Sequence, residues 1–110
     1  MKNHALNKWM IQRISAVALL PLLLFFLYSL INLVNQDYTG ALDFFDNYLP
    51  IIIFTLFLIL SAVHFRLGLN EIIEDYVQDE SLRNILNKVI TLYSTILPTI
   101  GVISLIKIIL

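Results

Sequence analysis

The sequence predicts an all-α integral membrane protein with three transmembrane helices. Of its 110 residues, 59% are hydrophobic and only 14% are charged, and the mean hydropathy is +0.85. A soluble domain of this length would be about half apolar and about a quarter charged. The apolar residues also cluster in three runs, each close to the ~20 residues that a helix needs to cross a bilayer. We therefore expect a single membrane domain over 1–110.

The first span is predicted over 11–34 and contains Pro21. Its basic start and apolar stretch are similar to a signal peptide. The apolar part is too long, however, and no small-residue cleavage site follows it, so we expect a retained helix. Pro21 could kink this helix, which membrane helices tolerate when neighbouring groups satisfy the freed carbonyl.

The second span is predicted over 49–69. Asn47 is a suitable N-cap, and Pro50 is suited to a first helical turn. The helix is expected to reach Gly68, with a polar extension to Tyr76 as the longer alternative. Aromatic residues before and at its start are placed to rest at the membrane interface: Phe44, Phe45 and Tyr48.

The third span is predicted over 89–110. It follows a second loop at 77–88, within which a helical turn capped at Ser81 is expected. Small residues in this span offer a surface for close helix packing: Ser94, Gly101 and Ser104.

Basic residues predict the orientation in the membrane. None lies in the first loop, and six lie before or at the start of the first span or around the second loop: Lys2, Lys8, Arg13, Arg66, Arg83 and Lys88. The positive-inside rule therefore places the N-terminus and the second loop on the cytoplasmic or matrix side. This suits a bacterial inner membrane or a mitochondrial inner membrane. The absence of cysteine excludes disulfides and thiolate metal sites, and no basic cluster indicates nucleic-acid binding.

His64 is the candidate functional residue, because it lies near the end of the second span in apolar surroundings. An ionisable residue at that depth is costly and usually faces a protein interior, a cavity or a cofactor. One interpretation is a neutral imidazole hydrogen-bonded to a neighbouring helix. The other is a metal ligand, because neutral imidazole is the most common side-chain ligand. The metal that histidines most often bind between membrane helices is haem iron. The other histidine, His4, lies in the polar N-terminal arm, so a bis-histidine haem would need a ligand from a partner chain.

Two further residues share the predicted helical face of His64. At about 100° per residue, Gly68 lies about 40° from it and Asp75 about 20°. Gly68 leaves room for a flat macrocycle or for another helix, and both interpretations stay open. The neighbouring acidic residues are expected to form the solvated face of a helix end: Glu71, Glu74, Asp79 and Glu80.

The segments QRISAVAL (12–19) and HFRLGLNEIIEDY (64–76), together with the three spans, resemble the hydrophobic D-type membrane anchor of succinate dehydrogenase, respiratory complex II. The resemblance covers nearly the whole chain. It depends on Arg13 at the start of the first span and on the H-x3-G-x6-D-Y spacing after the second. The Ser-Pro-His and His-Arg-x-Thr/Ser-Gly features of the C-type sister anchor are absent, which favours the D type.

The resemblance implies that haem b is shared with a C-type anchor, with one axial histidine from each chain and His64 as the ligand here. It implies a ubiquinone pocket that includes Tyr76, with Asp75 beside it. It also places Arg13 near the haem propionates and the quinone, with Gly68 packing near the haem. A flavoprotein and an iron–sulfur subunit would oxidise succinate and pass electrons to the quinone. The chain itself would be a non-catalytic anchor in the tricarboxylic acid cycle and respiratory chain.

Three other functions stay open at this point. A fumarate reductase anchor would perform the reverse reaction with menaquinone. A small proton-coupled transporter would use His64 and Asp75 as a proton relay. The absence of an inverted repeat argues against a transporter. A structural assembly protein would bind no cofactor.

Overall fold

The computed structural model describes residues 2–110 and is all-helical in that range. It has four helices: α1 (Lys2–Val34), α2 (Tyr38–Phe44), α3 (Tyr48–Tyr76) and α4 (Glu80–Ile109). Three of them, α1, α3 and α4, are long and apolar enough to cross a membrane. The predicted fold class, with three transmembrane helices, is confirmed.

Helix α1 begins earlier than the predicted span, because the polar N-terminal arm is helical from Lys2. Its 33 residues correspond to a length of about 50 Å at 1.5 Å per residue, which matches the 50 Å long dimension of the molecule. Pro21 lies inside α1, and the helix continues on both sides of it. A bilayer with its headgroups is about 40–45 Å thick, so α1 can span it and extend beyond one surface.

The connection before α3 is more ordered than predicted, since it contains the seven-residue helix α2. The side chain of Asp37 caps α2 by accepting a hydrogen bond of 2.8 Å from the backbone N–H of Gly40. Helix α3 follows with Asn47 at its N-cap and Pro50 in its first turn, as predicted, although the Asn47 side chain makes no capping hydrogen bond. It ends at Tyr76, which confirms the longer alternative.

The predicted second loop at 77–88 is wrong, because only 77–79 separates α3 from α4. The N-cap is Asp79, whose side chain accepts a hydrogen bond from a backbone N–H of the first turn; Ser81 already lies inside the helix. Arg83 also holds the short connection by donating to two of its backbone carbonyls. The charged residues at the start of α4 form a polar helix end and not a loop.

Helix α3 lies between α1 and α4 and packs against both. The accessible surface is 8346 Å², whereas a compact soluble monomer of this mass would expose about 6,200 Å². Among the large aliphatic side chains of the described residues, three are buried: Ile51, Ile73 and Leu105. Most apolar side chains therefore face outward, where lipid or other subunits can cover them.

Aromatic rings hold α1, α2 and α3 together at one end of the molecule. We call this group the phenylalanine cluster: Phe25, Phe26, Phe44, Phe45, Phe54 and Phe57. The Phe54 ring centroid lies 5.3–6.3 Å from those of four other members, and Phe26 stacks on Phe57 at 4.6 Å. Two rings that were expected to rest at the membrane interface, Phe44 and Phe45, thus pack inward, whereas Tyr48 is exposed.

Small residues let α4 approach α3 at one of the predicted positions. A Cβ atom added to Gly101 would lie 2.8 Å from Cδ1 of Leu58, so the leucine packs directly over the glycine. Ser94 is half-buried and lines a groove between the two helices. Ser104 is exposed and donates to the carbonyl of Ile100 in its own helix, so it does not pack against α3, and its part in helix packing stays a prediction.

Candidate functional site

His64 is half-buried on α3 and contacts α1 through a single polar interaction. Its Nδ1 atom lies 3.0 Å from the Oγ atom of Ser15. Ser15 is only 3% exposed, so this hydrogen bond is shielded from solvent. The expected hydrogen bond between His64 and a neighbouring helix is therefore present. It engages one ring nitrogen, so a metal would have to bind the other, Nε2.

Gln12 and Gly68 bring α1 and α3 together one helical turn from this contact. The Ser15 hydroxyl also lies 3.0 Å from the backbone carbonyl oxygen of Gln12. A Cβ atom at Gly68 would lie 3.3 Å from Nε2 of Gln12, which is a tight contact. Of the two interpretations of Gly68, the structure shows the approach of another helix. Its packing near a haem stays a prediction.

Polar atoms without partners accumulate at the same end of the molecule. Within the described residues, four buried side-chain oxygens have no hydrogen-bond partner, and three belong to Gln12, Asn70 and Asn87. The fourth, Oγ of Ser29, lies further along α1. An unsatisfied buried polar atom costs about 1–3 kcal/mol. We call the group Gln12, Ser15, His64, Asn70 and Asn87 the polar end.

Arg13 does not join His64 in the structure. Its side chain is exposed, and its guanidinium carbon lies 5.6 Å from the centre of the Trp9 ring, one turn earlier on α1. Ser15 lies two positions after Arg13, which corresponds to about 200° around a helix. Arg13 therefore lies on the side of α1 that faces away from the contact between Ser15 and His64.

Asp75 and Tyr76 lie at the end of α3 and are both exposed, Tyr76 at 81%. Asp75 is on the same side of the helix as His64 but about 16 Å further along its axis, at 1.5 Å per residue. The structure thus joins His64 to Ser15 and leaves Arg13, Asp75 and Tyr76 at separate exposed positions.

A basic groove runs beside the polar end, between α1 and α3. Its volume is about 430 Å³. Its polar and basic lining residues are His4, Asn7, Lys8, Arg66 and Asn70. Arg66 is exposed in this part of the molecule. The groove concentrates positive charge beside the part of α3 that carries His64.

Ser15 is the site residue to which the sequence assigned no role. It was visible only as the third residue of the Arg-Ile-Ser motif at 13–15. Within residues 2–110, no three histidine, aspartate or glutamate side chains are grouped as a protein-only metal centre requires. A haem iron needs fewer protein ligands, because the macrocycle supplies the equatorial ligands and one histidine can fill an axial position. The polar end offers one such histidine, His64, whose Nδ1 is hydrogen-bonded to Ser15 and whose Nε2 makes no hydrogen bond within the described residues.

The three long, apolar helices identify this chain as an integral membrane protein. The family model of succinate dehydrogenase/fumarate reductase transmembrane subunits matches residues 1–103, and the chain belongs to this family. It is therefore a membrane subunit of a multi-subunit dehydrogenase or reductase complex. Neither the curated proteins nor the solved structures gave a match. The resemblance drawn from the sequence is confirmed for the family, and its D type stays a prediction.

Proposed function

We propose that the chain is the D-type membrane anchor of succinate:ubiquinone oxidoreductase, complex II. It helps to bind haem b and ubiquinone, and it docks the flavoprotein and iron–sulfur subunits to the membrane. The observation that carries this proposal is His64, held at Nδ1 by Ser15 between two membrane-length helices of a chain of this family. A neutral imidazole so held is suited to ligate a metal through its other nitrogen.

The haem proposal assigns His64 as one axial ligand and a histidine of a C-type anchor as the other. Haem supplies one-electron transfer when it is bound. This chain holds the imidazole against α1 with Ser15. Gly68 keeps that part of α3 free of a side chain.

The quinone proposal places ubiquinone at the boundary reached by the end of α3. Electrons come from subunits in the aqueous phase, whereas the quinone tail stays in lipid. The quinone ring must therefore receive the electrons at the boundary between the two phases. The Tyr76 hydroxyl can donate to a quinone carbonyl, and its ring is suited to the membrane interface. Asp75 is proposed to tune that hydrogen bond or to relay a proton. Arg13 is proposed to stabilise negative charge on the quinone or a haem propionate, with its exposed guanidinium free to turn from Trp9.

The orientation proposal places the N-terminus and the end of α3 on the cytoplasmic or matrix side. It follows from the basic residues at that end and from their absence in the connection between α1 and α3. Cysteines introduced at Asp43 and Glu80 should react with an impermeant reagent from opposite sides of the membrane. Labelling of both from one compartment would contradict the orientation.

Purification of the native complex tests the proposed function. A tag on this chain should retain a flavoprotein, an iron–sulfur protein and a second anchor, with a haem b band in the reduced-minus-oxidised spectrum. Succinate should reduce that haem, and ubiquinone should be the electron acceptor. A complex that preferentially reduces fumarate with menaquinol would indicate the fumarate reductase anchor. Absence of both the haem and the soluble subunits would contradict the proposed function.

A further inference from the structure

We infer that Ser15 is a positioning residue that fixes the tautomer of His64, with the proton on Nδ1 and a free lone pair on Nε2. This inference rests on the proposed function, in which His64 binds the haem iron. It goes further because it assigns a role to α1, which supplies no ligand itself. The observation behind it is the pair of contacts that the Ser15 hydroxyl makes.

The Ser15 hydroxyl has a single proton, and this determines which tautomer of His64 the two contacts require. Its Oγ atom lies 3.0 Å from the Gln12 carbonyl oxygen and 3.0 Å from Nδ1 of His64. A serine hydroxyl has one proton to donate, and a carbonyl oxygen can only accept. Both contacts are hydrogen bonds only if Ser15 donates to Gln12 and accepts from Nδ1–H. In the opposite arrangement, two oxygens without a proton between them would face each other at 3.0 Å.

The surroundings of Ser15 keep this arrangement in place. The residue is 3% exposed, so its hydroxyl is shielded from solvent. Serine hydroxyls in helices commonly donate to the carbonyl three or four residues earlier, which holds the hydroxyl rotor. The imidazole is thereby oriented from α1, and the chain of two hydrogen bonds strengthens each member. Metal-bound histidines commonly donate their second N–H in this way, which raises the basicity of the ligating nitrogen.

Loss of the Ser15 hydroxyl has consequences that a purely structural role would not have. The imidazole becomes a weaker electron donor, so ferric iron is stabilised less and the midpoint potential of the haem rises. The ring also loses its orienting partner. Removal of such supporting hydrogen bonds typically weakens metal binding by about 10–100-fold. We expect haem loss about 10-fold faster than from the unmodified complex, at the lower end of that range, because the axial ligand itself remains.

Three variants of the purified whole complex test the inference. Ser15→Ala removes the hydroxyl, and Ser15→Thr keeps it. Ser94→Ala is the matched control, because that half-buried serine makes the same kind of bond to a carbonyl three residues earlier and touches no histidine. The measurements are the redox titration of the haem band and the rate of haem transfer to excess apomyoglobin. We expect a higher potential and faster haem loss in Ser15→Ala only.

The outcomes separate this inference from the proposed function. If Ser15→Ala matches the unmodified complex in potential and haem loss, the positioning role is wrong, while His64 can still be the ligand. If Ser15→Thr shows the same defect as Ser15→Ala, the effect arises from packing, and the inference also fails. If His64→Ala leaves the low-spin spectrum unchanged, the proposed function fails and the role of Ser15 fails with it.

Discussion

The phenylalanine cluster and the polar end differ in how completely their side chains find interaction partners within this chain. At the phenylalanine cluster, rings from α1, α2 and α3 pack on one another around Phe54. At the polar end, Gln12, Asn70 and Asn87 each bury an oxygen without a partner in the described chain. One end is thus held together by ring contacts within the chain, whereas the other retains buried polar atoms whose hydrogen bonds are not made. The candidate ligand His64 lies at the second end.

The energetics at the two ends also differ in kind. In a membrane, burial of apolar surface does not by itself drive helices together, because lipid tails are equally apolar. Aromatic pairs contribute about 0.5–1.5 kcal/mol each through their geometry, and close approach at small residues such as Gly101 adds dispersion contacts. A hydrogen bond such as that between Ser15 and His64 contributes about 1 kcal/mol, whereas an unpartnered buried oxygen costs as much or more. The phenylalanine cluster therefore contributes more than the polar end to holding the helices together.

The largest stability effect should come from Phe54→Ala, which removes the ring at the centre of the phenylalanine cluster. The Phe54 ring contacts four other rings, and each such contact contributes about 0.5–1.5 kcal/mol, so we expect a loss of at least about 2 kcal/mol. Thermal denaturation of the purified complex measures this change. Phe65→Ala is the control, since that ring is 63% exposed on the same helix and lies outside the cluster. Equal melting temperatures for the two variants would contradict the role given to the cluster.

A smaller, purely functional effect should come from Tyr76→Phe at the end of α3. The ring is kept and one hydrogen-bond donor is lost, which corresponds to about 1.4 kcal/mol or about a 10-fold lower quinone reductase turnover. Succinate oxidation with a soluble electron acceptor should be unchanged. Tyr48→Phe is the matched control, because it alters an exposed tyrosine at the opposite end of α3. If both activities of Tyr76→Phe equal those of the control, Tyr76 is an interfacial anchor only.

The helices could be predicted from the sequence where hydropathy and capping residues mark them. Long apolar runs indicated three membrane helices, and Asn47 with Pro50 marked the start of α3 correctly. The region 77–88 was predicted as a loop, although most of it is the start of α4. A helix that continues beyond the bilayer keeps its backbone hydrogen bonds but no longer has an apolar sequence, so hydropathy does not reveal it. Asp79 could have been identified as the cap, since aspartate is favoured at N-caps as strongly as serine.

The contact between Ser15 and His64 could not be predicted from the sequence. It depends on which sides of α1 and α3 face each other. Neither helix has one distinct apolar side opposite a polar one, so no amphipathic stripe fixes their rotation. His64 itself stood out because an ionisable residue is rare at such depth. Arg13 was placed near it from the family motif, yet the rotation of α1 turns Ser15 toward His64 and Arg13 away from it.

The spectrum of the complex carrying His64→Ala tests the central claim most directly, with His4→Ala as the matched control. The chain has these two histidines, and His4 is exposed near the start of α1. We expect His64→Ala to lose the low-spin haem b band in the reduced-minus-oxidised spectrum while the flavoprotein still oxidises succinate with a soluble acceptor. His4→Ala should retain the full band. A normal low-spin band in the His64→Ala complex would contradict the claim that the polar end of this chain binds haem.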